Sequence, residues 1–106
     1  MIIATTNEIG GKEISEVLGL VRGNTIRARH LGRDISAALR GLVGGEVKDY
    51  TKMMAEAREQ ALDRMAAEAE SKGADAVVCI RFSTSFIMQG AAELLVYGTA
   101  VKFKNS

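Results

Sequence analysis

Few side chains in this sequence could carry nucleophilic, acid–base or ligating chemistry. There is one histidine, His30, and one cysteine, Cys79, alongside 13 Asp+Glu and 14 Lys+Arg. A nucleophilic Cys79 would need a base such as His30 brought alongside it. A metal site on the same pair would need carboxylates to converge on it, or a second copy to complete the set across a symmetry axis, because one His and one Cys cannot fill a four-ligand structural site. His30 and Cys79 are therefore the candidate metal ligands. The competing reading of a mid-strand cysteine is a small buried hydrophobe. No Ser–His–Asp pattern, carboxylate pair or metal-spaced cluster occurs, and a single histidine narrows the acid–base options. No residue is assigned a catalytic role.

Local charge departs from neutrality at Arg22, Arg27, Arg29, His30 and Arg33, opposed only by Asp34. Guanidinium forks in such a run suit a phosphate or another anion. RNA would also want aromatic stacking platforms nearby, and no Phe, Tyr or Trp falls between Ile14 and Val47. Nucleic acid is therefore not the expected partner. A solvated loop, or an ion-pair network with Glu46 and Asp49, is the plainer alternative. An enzyme acting on a small anionic substrate held by the Arg27–Arg33 segment is the rival functional reading, with His30, Asp34, Glu46 and Tyr50 as its available acids and bases. Gly10-Gly11-Lys12 fails as a phosphate loop, since Glu13 follows where a hydroxyl is needed. Gly41, Gly44 and Gly45 follow a helical stretch, which excludes the dinucleotide fingerprint.

The elements that must position these residues follow from periodicity. Ile2–Thr6 is β-branched-rich and short, an N-terminal or edge strand, and Asn7–Lys12 carries turn residues. Ile14–Ala28 reads as β. Val17, Gly19, Val21 and Gly23 share one face, and Leu18, Leu20, Arg22 and Asn24 the other. Two glycines on one face predict a bulge or a close backbone approach, with a strand–turn–strand split at Gly23-Asn24 as the alternative. Ile35, Ala38, Leu39, Leu42 and Val43 predict a short helix within Leu31–Val43, with Asp34 near its start. Tyr50, Met53, Met54, Ala57, Ala61, Met65 and Ala69 form a helical stripe through Glu46–Lys72. Gly73 stands as its C-terminal glycine, and Glu68 and Lys72 are spaced for an ion pair. Ala76–Ile87 predicts a second long strand with Val78, Ile80, Phe82, Thr84 and Phe86 toward the core. After a connection at Gln89–Ala92, Glu93–Phe103 is its partner.

Length and composition bound the rest. A chain of 106 residues is one domain, residues 1–106. Its 47% hydrophobic and 25% charged content is that of globular proteins, which excludes disordered and fibrous classes. A net charge of +1 removes any global attraction to nucleic acid or membranes. One cysteine excludes an intramolecular disulfide. No apolar run is long enough to span a bilayer, and the opening residues lack a signal peptide's pattern, so a cytoplasmic setting is expected. The expected fold is α+β, an antiparallel sheet packed on one long helix plus a short one. Strands of ten or more residues exceed the usual ~5–6 and overhang a single helix, leaving edges that need cover. Another copy of the chain is the simplest cover, so a homo-oligomer is expected.

Arg33-Asp34, Gly44-Gly45-Glu46, Tyr50-Thr51, Glu56-Ala57-Arg58, Gly73-Ala74-Asp75-Ala76-Val77-Val78 and Gly98-Thr99-Ala100-Val101 together resemble the YbjQ-like family of small proteins, sometimes labelled heavy-metal-binding. The resemblance runs over nearly the whole chain. It implies an α+β subunit similar to dodecin-like subunits, assembling as a homopentamer, and it implies no established activity. Some relatives carry a cysteine where this chain has Val17-Leu18-Gly19, and a glycine is usual at the position of Cys79. The residues it picks out beside the glycine hinge, Arg33, Asp34, Glu46 and Tyr50, are the candidate ligand-binding set. The expectation is a non-enzymatic module holding a small ligand or metal ion at subunit interfaces, its cofactor unidentified.

Overall fold

A computed structural model describes residues 1–28 and 45–105, with the side chains of residues 45–50 excepted. The expected helix within Leu31–Val43 lies outside the described residues. The elements are β1 (Ile2–Ile3), β2 (Ile14–Ala28), α1 (Gly45–Ser71), β3 (Ala76–Met88) and β4 (Ala91–Phe103). The strands form one sheet in the order β1-β3-β4-β2. β2 is continuous and pairs antiparallel with β4 from Ile14↔Phe103 to Ala28↔Ala91. β3 and β4 form a hairpin across Gln89-Gly90, where Gly90 adopts φ 78°. β1 pairs parallel with β3, so the sheet is mixed and not wholly antiparallel as expected. Parallel pairing is possible because the chain crosses the face of the sheet between β1 and β2, through a turn at Gly10-Gly11 with Gly11 at φ 79°.

α1 lies along β2 and β4 with Ala57, Ala61, Met65 and Ala69 buried against Val21, Val77, Ile80, Val96 and Ala100. Small residues let it sit close. A Cβ added at Gly23 would lie 2.1 Å from the Ala61 carbonyl oxygen and 2.6 Å from the Met65 nitrogen. Gly23 is thus a point of close backbone approach, one of the two outcomes its spacing predicts. Polar groups then lace the helix to the strand. The buried Thr25 hydroxyl donates to the Ala57 carbonyl at 3.2 Å, Arg64 Nη1 to the Asn24 carbonyl at 2.6 Å, and Arg27 Nη2 to Gln60 Oε1. Lys72 Nζ donates to the Leu20 carbonyl at 3.3 Å. Lys72 therefore serves the strand and not the expected pair with Glu68. Past Ser71, the Gly73 amide donates to Glu70 at 2.9 Å and the Ala74 amide to Ala69 at 3.1 Å. With Gly73 at φ 78°, this is the paired-bond helix stop that a C-terminal glycine permits.

A smaller apolar cluster forms on the opposite face. Ala76, Val78, Val101 and Phe103 are buried there, with Ile9 and Ile14 packed over them. Lys12 Nζ sits 5.8 Å from the centroid of the Phe103 ring, at the reach of a cation–π contact.

Two of the four register shifts in these strands reset the alternation that the sequence pattern suggests. In β2 the register shifts between Val17 and Gly19, with Gly19 at φ 104°. Leu18 consequently packs against the core, while Val17, expected beside Val21, is 65% exposed. In β3 the register shifts between Val78 and Arg81, with Cys79 at φ 57°. Past this bulge the strand outruns the helix. Phe82 and Phe86, expected in the core, are 47% and 78% exposed. Their face is the one predicted, since they pair with the buried Val96 and Ala92, but no described element covers it. The chain is correspondingly long. It measures 57 × 22 × 15 Å with a radius of gyration of 17.5 Å, where a compact chain of this length has about 13 Å.

Candidate functional site

Of the six site residues singled out in the sequence, His30, Arg33 and Asp34 lie outside the described residues. Glu46 and Tyr50 fall in the first two turns of α1, where only the backbone is described. Cys79 is the one whose surroundings are on view. It is a half-buried free thiol packed against the smaller apolar cluster, and its amide donates to the Thr6 carbonyl at 2.9 Å. Its left-handed backbone, sparsely allowed for a side chain with a Cβ, explains why the YbjQ-like resemblance implies glycine there. A bulge whose first residue is left-handed favours glycine.

This placement bears on the metal reading. Among the described residues, no group of three or more His, Cys, Asp and Glu could hold a metal ion. The surroundings of Cys79 are apolar side chains. The donor set that the described residues of one chain present does not fit a bound ion, and no chemistry is routed through one.

Arg27, the first residue of the candidate anion-holding segment, is directed to the helix. Its partner Gln60 sits in an open depression of about 440 Å³ lined also by Glu56, Glu59 and Asp63. Those three carboxylates disfavour an anionic substrate at that spot. No described helix is long and apolar enough to cross a membrane.

The topology builds two features, the first in line with the expected overhang of the long strands and the second missed by a linear reading. The first is an edge. β1 covers β3 only at Ala76 and Val77, and the chain after it reaches Ile80, whose amide donates to the Ala4 carbonyl at 3.1 Å. From Arg81 to Met88 every residue is exposed, and no described strand pairs with the outer side of this stretch. At the other end of the sheet, no described strand pairs with the outer side of β2. The second feature is a row of side chains on the face that α1 leaves uncovered. Arg22 on β2 and Arg81 on β3 both stand opposite Tyr97 on β4. Only knowledge of the register could have found it, because the three residues are 75 positions apart in the chain from first to last.

Comparison with known proteins gives a consistent picture. A family model described as "Putative heavy-metal-binding" matches residues 1–104. A UPF0145 protein of Methanosarcina acetivorans is 61% identical over 105 residues, 99% of this chain and 99% of its own. One from Thermosipho africanus is 60% identical over 106 residues, 100% of this chain and 98% of its own. A crystal structure from Pediococcus pentosaceus, of a DUF74-family protein with unknown function, aligns with a TM-score of 0.61 at 16% identity, covering 98% of both chains. At that identity the likeness speaks for the fold alone.

Proposed function

Because the chain belongs to the YbjQ-like, UPF0145 family, we propose that it is a non-enzymatic assembly module whose 106 residues form one domain and one subunit. Copies join through the edges of the sheet, in the dodecin-like pentamer that the resemblance implies, and hold a small ligand or ion where subunits meet. Within such an assembly the ligand site falls where the Arg33-Asp34 turn meets Glu46 and Tyr50.

The observation that carries this reading is the uncovered half of β3. Phe82, Phe86, Ile87 and Met88 are 47%, 78%, 51% and 54% exposed along an unpaired edge. Such edges template pairing with another chain unless something blunts them. Fully burying a Phe, Ile or Met side chain stabilises by roughly 1.5–3 kcal/mol, so covering these residues with another copy favours association. The two bare edges belong to different strands with different residues. Joining one to the other is heterologous, head-to-tail, and closes into a ring when the rotation permits.

Light scattering at micromolar concentration tests the assembly. The expected mass is about five times the 11.3 kDa of one chain, with Phe82→Ser combined with Phe86→Asp giving folded monomers by circular dichroism. A wild-type monomer overturns the proposal. The metal part has a separate readout. Elemental analysis of untagged protein tests it: near-stoichiometric transition metal that is lost on combining His30→Ala with Cys79→Ala would make the two residues ligands across subunits. Metal-free protein removes His30 and Cys79 as ligands.

A further inference from the structure

We propose that the face of the sheet opposite α1, past the part that Ile9 and Ile14 cover, binds a mononucleotide, its base stacked on Tyr97 and its phosphates held by Arg22 and Arg81. The ladder registers Arg22↔Tyr97 and Tyr97↔Arg81 set the three residues in one row across β2, β4 and β3. Neighbouring strands lie about 4.8 Å apart, so the two arginine stems stand roughly 10 Å apart with the tyrosine between them.

The face is the solvent-directed one. Tyr97 is 38% exposed, while its neighbour Val96 is fully buried toward the helix. Arg81 is already oriented, with Nη1 donating to the Thr5 carbonyl at 2.9 Å and to the Ile80 carbonyl at 2.8 Å. Among the described residues its Nε and Nη2 make no other hydrogen bond, and a side chain held in place loses less freedom on binding. Neither arginine has a carboxylate within ion-pair distance among the described residues, where Lys104–Glu13 at 3.9 Å is the salt bridge seen. Adjacent rows carry Leu20, Thr99 and Val78 on one side and Asn24, Leu95 and Ser83 on the other. The nearest carboxylate on this face of the three strands, Glu93, is four residues along β4, roughly 13 Å away, and accepts from Asn24 Nδ2 at 3.4 Å.

A single nucleotide suits the row better than a strand of nucleic acid. A strand stacks successive bases on several aromatics, and among the described side chains Tyr97 is alone here. Phe82 and Phe86 pair with Val96 and Ala92, so they belong to the helix side, and Phe103 is buried beneath the N-terminal segment. The inference is independent of assembly, since pairing strand edges extends a sheet without covering its faces.

Calorimetric titration with ADP in EDTA tests it, with adenosine and tripolyphosphate as base-only and phosphate-only probes and light scattering on the same samples. The expected result is ADP binding at least ~10-fold tighter than either probe, by the joint contribution of stacking and charge. Tyr97→Leu and Arg22→Gln should each weaken it about 10-fold or more, and Tyr97→Phe, which keeps the ring, should stay within about 3-fold. All three positions are exposed or partly exposed, so the variants should fold. No ADP binding at millimolar concentration, equal binding of tripolyphosphate, or an unaffected Tyr97→Leu overturns the proposal. Binding of an oligoribonucleotide without ADP also overturns it.

Discussion

Gly23→Ala asks whether α1 rests on β2 as closely as the geometry says. The added methyl would meet the Ala61 carbonyl oxygen at 2.1 Å, the Met65 nitrogen at 2.6 Å and Arg64 Cβ at 2.9 Å. Two of these are backbone atoms of a helix, which cannot rotate away. Restoring ordinary contact near 3.2 Å from the oxygen requires helix and strand to separate by about 1 Å. A gap of 0.5–1 Å forfeits a quarter to a half of each dispersion contact across it. The contacts concerned are those of Ala57, Ala61, Met65 and Ala69, and the hydrogen bonds from Thr25 and Arg64 stretch with them. Overpacking in a tight core costs ~1–3 kcal/mol, and this case belongs at the upper end, about 3 kcal/mol. For a domain of this size that lowers Tm by roughly 12–20 °C. The assay is thermal unfolding by circular dichroism, with all proteins at one concentration because assembly makes Tm concentration-dependent. Gly10→Ala is the control, since a Cβ there meets nothing within 4 Å and the backbone is unstrained. A Gly23→Ala melt within about 2 °C of wild type, against that ~12–20 °C expectation, would refute the close approach.

Cys79→Gly should raise Tm by up to roughly 4 °C, because relief of left-handed strain of ~1–2 kcal/mol exceeds the added unfolded-state entropy and the lost packing of the half-buried thiol; a lower Tm contradicts the φ of 57° at the bulge. Gly73→Ala should lower Tm by about 4–8 °C for ~1 kcal/mol of strain alone, since nothing lies within 4 Å of its added Cβ; an unchanged melt would show that the helix does not stop through that residue.

The long elements were legible because their signals repeat. β2 spans Ile14–Ala28 as its pattern predicts, and α1 spans Gly45–Ser71 where the stripe runs through Glu46–Lys72. Ala57, Ala61, Met65 and Ala69 face inward as their spacing requires. Alternation was a weaker guide in two places. Period two assigns a face, but it does not say how far along the strand that face is covered, which is why Phe82 and Phe86 are exposed. A one-residue insertion inverts everything beyond it, and nothing in Val17-Leu18-Gly19 other than the glycine marks where that happens. The parallel pairing of β1 was illegible because an isolated Ile-Ile carries no direction. The candidate site around His30, Arg33 and Asp34 was read from local charge and resemblance, and lies outside the described residues. The Arg22, Tyr97 and Arg81 row is a product of strand register, which local chemistry does not encode.

The parallel pairing of β1 with β3 also sets an order of events. Ile2 finds its partner Ala76 only across 74 residues, whereas the β3–β4 hairpin closes over a two-residue turn. Hairpins form in microseconds, and contacts between distant residues come later because the intervening chain must first be arranged. Made at about 5–20 residues per second, the chain's first strand waits several seconds for its partner to be synthesised. During that interval its isoleucines are unsheltered, and β1 is among the last elements to be placed.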